Sequence, residues 1–185
     1  MFLNLQMWAQ NASQKLEETA GVWEIDESLS ELTFAIENFY MGTVKGVFKG
    51  LKGVITIDEQ LAKSSVNLSI QASTLEAGNE KRDEHLKDPD FFDTEKHPLV
   101  LYQGSSIEFT GDKKNPYTLK GILIIKEIKN SIDVPFNHAL SKDGKVVVFV
   151  GKTIVSKNDF NLDNWKGVGV GETATVTFKV VAKRK

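Results

Sequence analysis

VKGVFKGLKGVITI, residues 44–57, reads as a strand interrupted by glycines at 46, 50 and 53. Glycine inside a strand marks a bulge, a bend or a close approach of another chain segment. Three of them along one strand are what a sharply curved barrel wall needs. The neighbouring stretches share the period of two that places alternate side chains on opposite faces. Residues 31–41 set Leu32, Phe34 and Ile36 against Thr33, Ala35 and Glu37, and residues 64–72 set Val66, Leu68 and Ile70 against Asn67, Ser69 and Gln71. Residues 99–110 alternate more weakly, with Leu99, Leu101 and Gln103 on one parity and Val100 and Tyr102 on the other. Residues 117–126 and 132–140 form an expected hairpin around Glu127–Asn130, and Pro135 places an edge or bulge in its second strand. Residues 145–155 and 173–182 complete the set, with Asp143-Gly144 as the tight turn before the first of them. From Val22 onward this makes about eight strands joined mostly by short turns, an all-β chain that closes as one antiparallel barrel.

Composition narrows the function. At 185 residues the chain supports one good core without a second domain. A net charge of −2 with no basic stripe gives no reason to expect nucleic acid, and the terminal KRK reads as a solvated end. The absence of cysteine removes disulfides, thiolate metal sites and cysteine nucleophiles. No run approaches the roughly 18–20 apolar residues that cross a bilayer as a helix. The N-terminal stretch MFLNLQMWAQ has no positive charge before a short apolar core, a weak export signal as written. Phe2, Leu5, Trp8 or Ala9, Ala12 and Leu16 recur at near-helical spacing, so residues 1–21 are expected to be a leader or a short amphipathic helix ahead of a barrel domain at 22–185. The stretches 122–125 and 146–150 are apolar at consecutive positions. An outer wall of that kind is covered or pairs with a second copy, and a homodimer is expected.

Residues 76–98 break the strand rhythm. Asn79 can cap a helix from Glu80 to about Lys87, Asp88 and Pro89 stop it, and a second short turn carries Phe91 and Phe92. A long crossover with helical content in an up-and-down barrel serves as a lid or plug. The block Glu80, Asp83, Glu84, His85, Asp88, Asp90 and Asp93 is the densest titratable cluster. Read functionally, His85 with Asp88 or Glu84 could hold a divalent ion; read plainly, it is a solvated helix face, and no metal is expected. His138 shares a parity with Ile132, Val134, Phe136 and Leu140 and is either an inward polar contact for a ligand or a satisfied core residue. No phosphate loop, zinc motif or nucleophile elbow occurs. The phenylalanines are spread over nearly every strand, and a barrel of this size is filled either by its own side chains or by a small ligand.

The segments WEIDESLSELTFAIENFYMGTVKGVFKG (23–50), GNEKRDEHLKDPDFFDTEKHP (78–98), LKGILIIKEIKNSIDVPF (119–136) and NDF (158–160) resemble the YceI-like, polyisoprenoid-binding family. The middle block is the most specific, with Gly78, Asn79, Arg82, Asp83, Leu86, Phe91, Phe92 and Pro98 in the family's places. The resemblance implies an extended, lipocalin-like eight-stranded barrel with a helical lid near 79–92. It implies a polyisoprenoid or isoprenoid quinone bound inside as ligand, no other cofactor, and a periplasmic or secreted setting. Where members often carry His, this chain has Leu29 and Asn38. On that reading the protein binds or carries a long apolar lipid. Strand parity then assigns Phe34, Ile36, Phe48, Leu68, Ile70, Leu101, Leu123, Phe136, Val148, Val176 and Phe178 to the lining. Phe91, Phe92, Phe160 and Trp165 fall to the lid or mouth. The rival is an enzyme acting on an apolar substrate through the acidic block or His138, which requires one of these groups to be sequestered with a shifted pKa.

Overall fold

The computed structural model describes residues 15–40, 42–162 and 169–185. The expected leader residues Phe2 to Ala12, and Trp165, lie outside them. Among the described residues ten strands form one antiparallel sheet. They are β1 (Gly21–Ile25), β2 (Glu31–Asn38), β3 (Gly42–Phe48), β4 (Lys52–Ile57), β5 (Ser65–Gln71), β6 (Leu99–Phe109), β7 (Tyr117–Ile125), β8 (Ile128–Leu140), β9 (Val146–Ser156) and β10 (Val170–Arg184). The sheet runs β1-β4-β5-β6-β7-β8-β9-β10-β2-β3, and β1 also pairs with β10. Eight strands therefore close into a barrel, and β2 with β3 extends one wall beyond it. The expected eight-stranded barrel is present; what periodicity did not separate is the pair of broken strands.

Both breaks have a local cause. The 44–57 stretch divides at Gly50, whose φ of +71° suits glycine. Beyond it β4 pairs with β1, while β3 pairs with β2. β1 and β2 are in turn separated by a 3-10 turn at Glu27–Leu29, capped by Asp26, which accepts from the Ser28 amide (3.1 Å) and hydroxyl (2.6 Å). Asp26 also meets Lys183 at 2.6 Å. These contacts, the Lys183 hydrogen bond foremost, hold its carboxyl down to about 2. β10 is long enough to serve both broken strands. Its residues Val170 to Lys179 pair with β2, and Ala182 to Arg184 pair with β1. Gly46 lies within β3 and its role is close approach: a Cβ there would overlap the ring of its cross-strand partner Phe34 and the Glu76 carbonyl.

The β7–β8 turn falls earlier than expected. It is a two-residue turn at Lys126 and Glu127, with φ of +51° and +66°. Such turns favour Asn-Gly or Asp-Gly, and Lys-Glu carries no such signal. Pro135 stands where pairing between β8 and β9 ends. That ladder runs only from Phe136–Gly151 to Leu140–Val147, although β9 continues to Ser156 against β10. Past Pro135, Thr153 Oγ1 donates to the Asp133 carbonyl (2.9 Å) and Asn130 Nδ2 to the Asp159 carbonyl (2.6 Å). The missing proline N–H thus sits at a locally open edge, as its chemistry requires.

The two ends differ. Part of the expected leader closes the base: Leu16–Thr19 form a 3-10 turn, and Leu16 and Thr19 are fully buried. The Leu16 amide donates to Tyr117 Oη (2.9 Å) and Trp23 Nε1 to the Thr19 carbonyl (2.8 Å). Trp23 packs there with Ile25, Val147 and Ala182, under the Arg184 guanidinium at 4.3 Å. At the other end lies α1 (Glu80–Lys87).

Candidate functional site

The barrel encloses a cavity of about 710 Å³, and residues of α1 form part of its lining. Its wall is apolar from Ile55, Ile57, Val66 and Ile107 in the depth to Phe48, Leu86, Phe91 and Phe92 near the top. The short α1 is set by its ends. Asn79 accepts from the Arg82 amide (3.1 Å) as N-cap, and extended backbone at Asp88, before Pro89, ends it. Asp83 then takes the Ala77 amide at 2.7 Å, and the Arg82 guanidinium donates to the Ala77 carbonyl. These two bonds pin the helix beside β3, where Glu76 also exchanges backbone bonds with Val47. Leu86, Phe91 and Phe92 consequently look into the cavity. Phe92 meets Phe48 edge-on (5.7 Å), and Phe48 meets Phe34 at the same distance, a run of rings from lid to wall.

The parity assignments meet the structure strand by strand. Phe34, Ile36, Phe48, Leu68, Ile70, Leu123, Phe136, Val176 and Phe178 lie on the cavity wall, as do Phe91 and Phe92 from the lid. Leu101 and Val148 do not: the wall is made instead by their neighbours Val100, Tyr102 and Phe149. Both strands are apolar on consecutive positions, so hydrophobicity alone could not choose the face. A signal was present. Gln103 shares the parity of Leu101, and Lys152 that of Val148; both are exposed and mark those faces as outward. A bulge between Gly104 and Ser106 then restores Ile107 to the inside. Phe160 is buried but behind the wall, packed with Val100, Ile125 and Leu162, and Leu162 of the same loop reaches the cavity. Ile55, Ile57, Leu119, Val134 and Val155 also line it and were not anticipated.

Polar lining is sparse. Asn38, Asn79, Lys81, Arg82, His85 and Lys157 lie toward the lid, with Thr153 and Tyr102 on the wall. The Tyr102 hydroxyl approaches the Leu119 carbonyl at 3.3 Å, and burial pushes its pKa up. Asn38 is on the wall, whereas Leu29 is half-exposed in the turn between β1 and β2 and is not part of it. His85 Nδ1 stands 3.4 Å from Asp88. Among the described residues no three of His, Cys, Asp and Glu gather as a metal site.

His138 is buried at the base, not on the cavity wall. Its ring meets Tyr117 edge-on (5.5 Å), and neither ring nitrogen has a hydrogen-bond partner. Burial lowers its pKa, opposed by the Lys15 backbone and the charges of Glu17 and Glu18. This meets the sequestration that catalysis requires, but away from the cavity and with no carboxylate held against it.

Comparison with known proteins supplies the family. The YceI-like domain model matches residues 23–182. A UPF0312 protein of Photorhabdus laumondii is 30% identical over 113 residues, covering 60% of this chain and 56% of that protein. Protein YceI of Escherichia coli O157:H7 is 30% identical over 95 residues, 49% and 50% of the two chains. The chain thus matches about half the length of these relatives. Among solved structures, Burkholderia cenocepacia BcnA superposes with a TM-score of 0.76 at 23% identity, covering 86% of this chain and 99% of that one. A polyisoprenoid binding domain from Saccharophagus degradans, implicated in plant cell wall breakdown, gives 0.68 at 14% identity, covering 88% and 98%. At those identities the two likenesses speak to the fold alone. The matched span includes every barrel strand from Trp23 onward, the lid and the cavity wall, and the chain belongs to the YceI-like domain family.

Proposed function

We propose that the barrel binds a long apolar lipid, of the polyisoprenoid or isoprenoid-quinone class, and carries or sequesters it without catalysis. The observation that carries this reading is a cavity with a mostly apolar wall, lidded by a pinned helix that presents Leu86 and by the turn after it, which presents Phe91 and Phe92. A dry apolar cavity of about 150 Å³ takes one benzene. By that measure about 710 Å³ has room for on the order of 25–30 carbons, five or six isoprene units. Each methylene moved from water contributes roughly 0.8 kcal/mol before the entropy of ordering the tail is subtracted. Shape and length therefore govern affinity more than any one contact. The Saccharophagus domain, with the same fold, is a polyisoprenoid-binding one, which supports the ligand class.

The test is organic extraction of the purified protein followed by mass spectrometry, then reconstitution with a short-chain ubiquinone and with geranylgeraniol. A copurifying isoprenoid, or saturable uptake of either probe, is the expected result. Phe48→Ala should weaken uptake about two- to tenfold, the loss of part of one wall contact. Protein that yields no lipid and takes up neither probe overturns the reading.

A further inference from the structure

We propose that the barrel has a side door, a seam between β8 and β9 away from the base, through which an apolar tail enters and leaves the cavity. This rests on the lipid-binding reading above and adds the route to it. Pairing between the two strands stops at Phe136–Gly151, where the Pro135 carbonyl occupies the space a Cβ of residue 151 would need. Beyond that point each strand keeps only the neighbour on its far side. β8 stays with β7 to the Ile125–Ile128 pair, and β9 stays with β10 to Ser156–Thr173. Ile132 and Val134 flank the seam on one side and Thr153 and Val155 on the other, and all four line the cavity. The unpaired stretch therefore runs directly over the apolar interior.

What closes the seam is local. Among the described residues three side chains bridge it, each donating to a carbonyl: Thr153 Oγ1 to Asp133 (2.9 Å), Asn130 Nδ2 to Asp159 (2.6 Å) and Lys126 Nζ to Asn161 (3.3 Å). The last two hold the loop that follows β9, residues 157–162, as a strap. Its Lys157 amide is anchored to the Glu172 carbonyl of β10, and Phe160 is its buried latch against Val100 and Ile125. A second interruption of the wall, between β3 and the segment leading to α1, is held more firmly. There Val47 and Glu76 exchange two backbone bonds (2.8 and 3.0 Å), and Lys49 meets Glu76 at 2.6 Å. A side-chain bond to a carbonyl exchanges for water at small net cost. The β8–β9 seam is thus the part of the wall that opens locally, without unzipping a ladder.

The chain has no cysteine, so a pair can be introduced without background. Asp133 and Ile154 are exposed and face each other when the β8–β9 register is continued past Phe136–Gly151. In Asp133→Cys/Ile154→Cys the two thiols are bridged by a short bis-methanethiosulfonate and released with dithiothreitol. Uptake of a short-chain ubiquinone, and its displacement by geranylgeraniol, are followed by stopped flow in both states. The bridge should slow uptake and release alike, by at least about tenfold, with Kd unchanged, because a barrier common to both directions alters rates and not affinity. Dithiothreitol should restore both rates. The same bridge across the paired β9–β10 ladder, in Lys152→Cys/Thr177→Cys, should leave them as they were. Thr153→Val removes one tie and keeps the side-chain shape, and should raise both rates about two- to fivefold. Rates untouched by the seam bridge, rates slowed equally by both bridges, or a change in Kd alone would overturn the side door and leave lipid binding standing. Where the seam bridge fails to form, Thr153→Val decides, and unchanged rates there overturn the door. Failure of the quinone to bind in any form would overturn both readings.

Discussion

The base and the mouth of this barrel are built on opposite plans. At the base, Leu16, Trp23, Val147 and Ala182 have no exposed surface, and the plug is held by hydrogen bonds from the Leu16 amide and the Trp23 indole. At the mouth, α1 has no buried residue and rests on two bonds to Ala77. A helix of eight residues is marginal by itself. Burial is therefore concentrated at the base, while the helix beside the cavity is held by a few local hydrogen bonds. The difference teaches that a large cavity is tolerated here because one end of the barrel is packed as a conventional core.

That contrast can be broken most directly at Trp23. Trp23→Ala removes the largest fully buried side chain among the described residues and its bond to Thr19, and should cost about 3–5 kcal/mol in urea unfolding. A loss below about 1 kcal/mol would mean that the base does not anchor the barrel. Asp83→Ala sharpens the other side. It should cost about 1 kcal/mol, the net worth of one hydrogen bond. The effect should be local: amide exchange should quicken across α1 and stay unchanged in β9 and β10. Uniform quickening would show that the lid is integral to the fold.

His138→Phe carries the smallest effect. The folded pKa of His138 lies below the ordinary 6.5, so as pH falls the unfolded chain takes the proton first. Stability from this group is full above about 6.5 and declines toward the lowered folded pKa. The groups around it are the Tyr117 ring, the Lys15 backbone, and Glu17 and Glu18, whose charges temper the decline. Phe at this position should flatten that slope and raise stability at neutral pH by up to about 1 kcal/mol, since a buried polar ring whose nearest polar contact is the Lys15 backbone is replaced by an apolar one. Thermal melts at pH 7.5 and 5.5 check it; a destabilised variant with unchanged slope would show the imidazole to be engaged.

Much of this was legible in the residues. Alternation in 31–41 and 64–72 gave both strand and inward face, because polar side chains occupy the other parity. Asn79 and the Asp88-Pro89 pair bounded α1, since caps and proline act locally. Legibility failed where both faces are apolar, as at Leu101 and Val148, and where backbone geometry lacked its usual residues, as at Lys126-Glu127. The plug was unreadable for a different reason: Leu16 is held by partners distant in sequence, among them Tyr117, 101 residues away. The cavity itself belongs to this last class, for periodicity says which side chains face inward and not how far apart the opposite walls stand.

β10 pairs with β1 through Trp23–Arg184, Glu24–Lys183 and Ile25–Ala182. The seam that closes the cylinder thus joins segments separated by nearly the whole described chain. Loop-closure entropy must be overcome before that seam yields any contact energy, and topologies dominated by such distant pairs fold in milliseconds to seconds. Until it zips, β1 and β10 are both open edges able to capture another chain. The kinetic hazard of this molecule is therefore set by its final strand, and slow closure, rather than weak packing, is where overexpression would turn it toward aggregation.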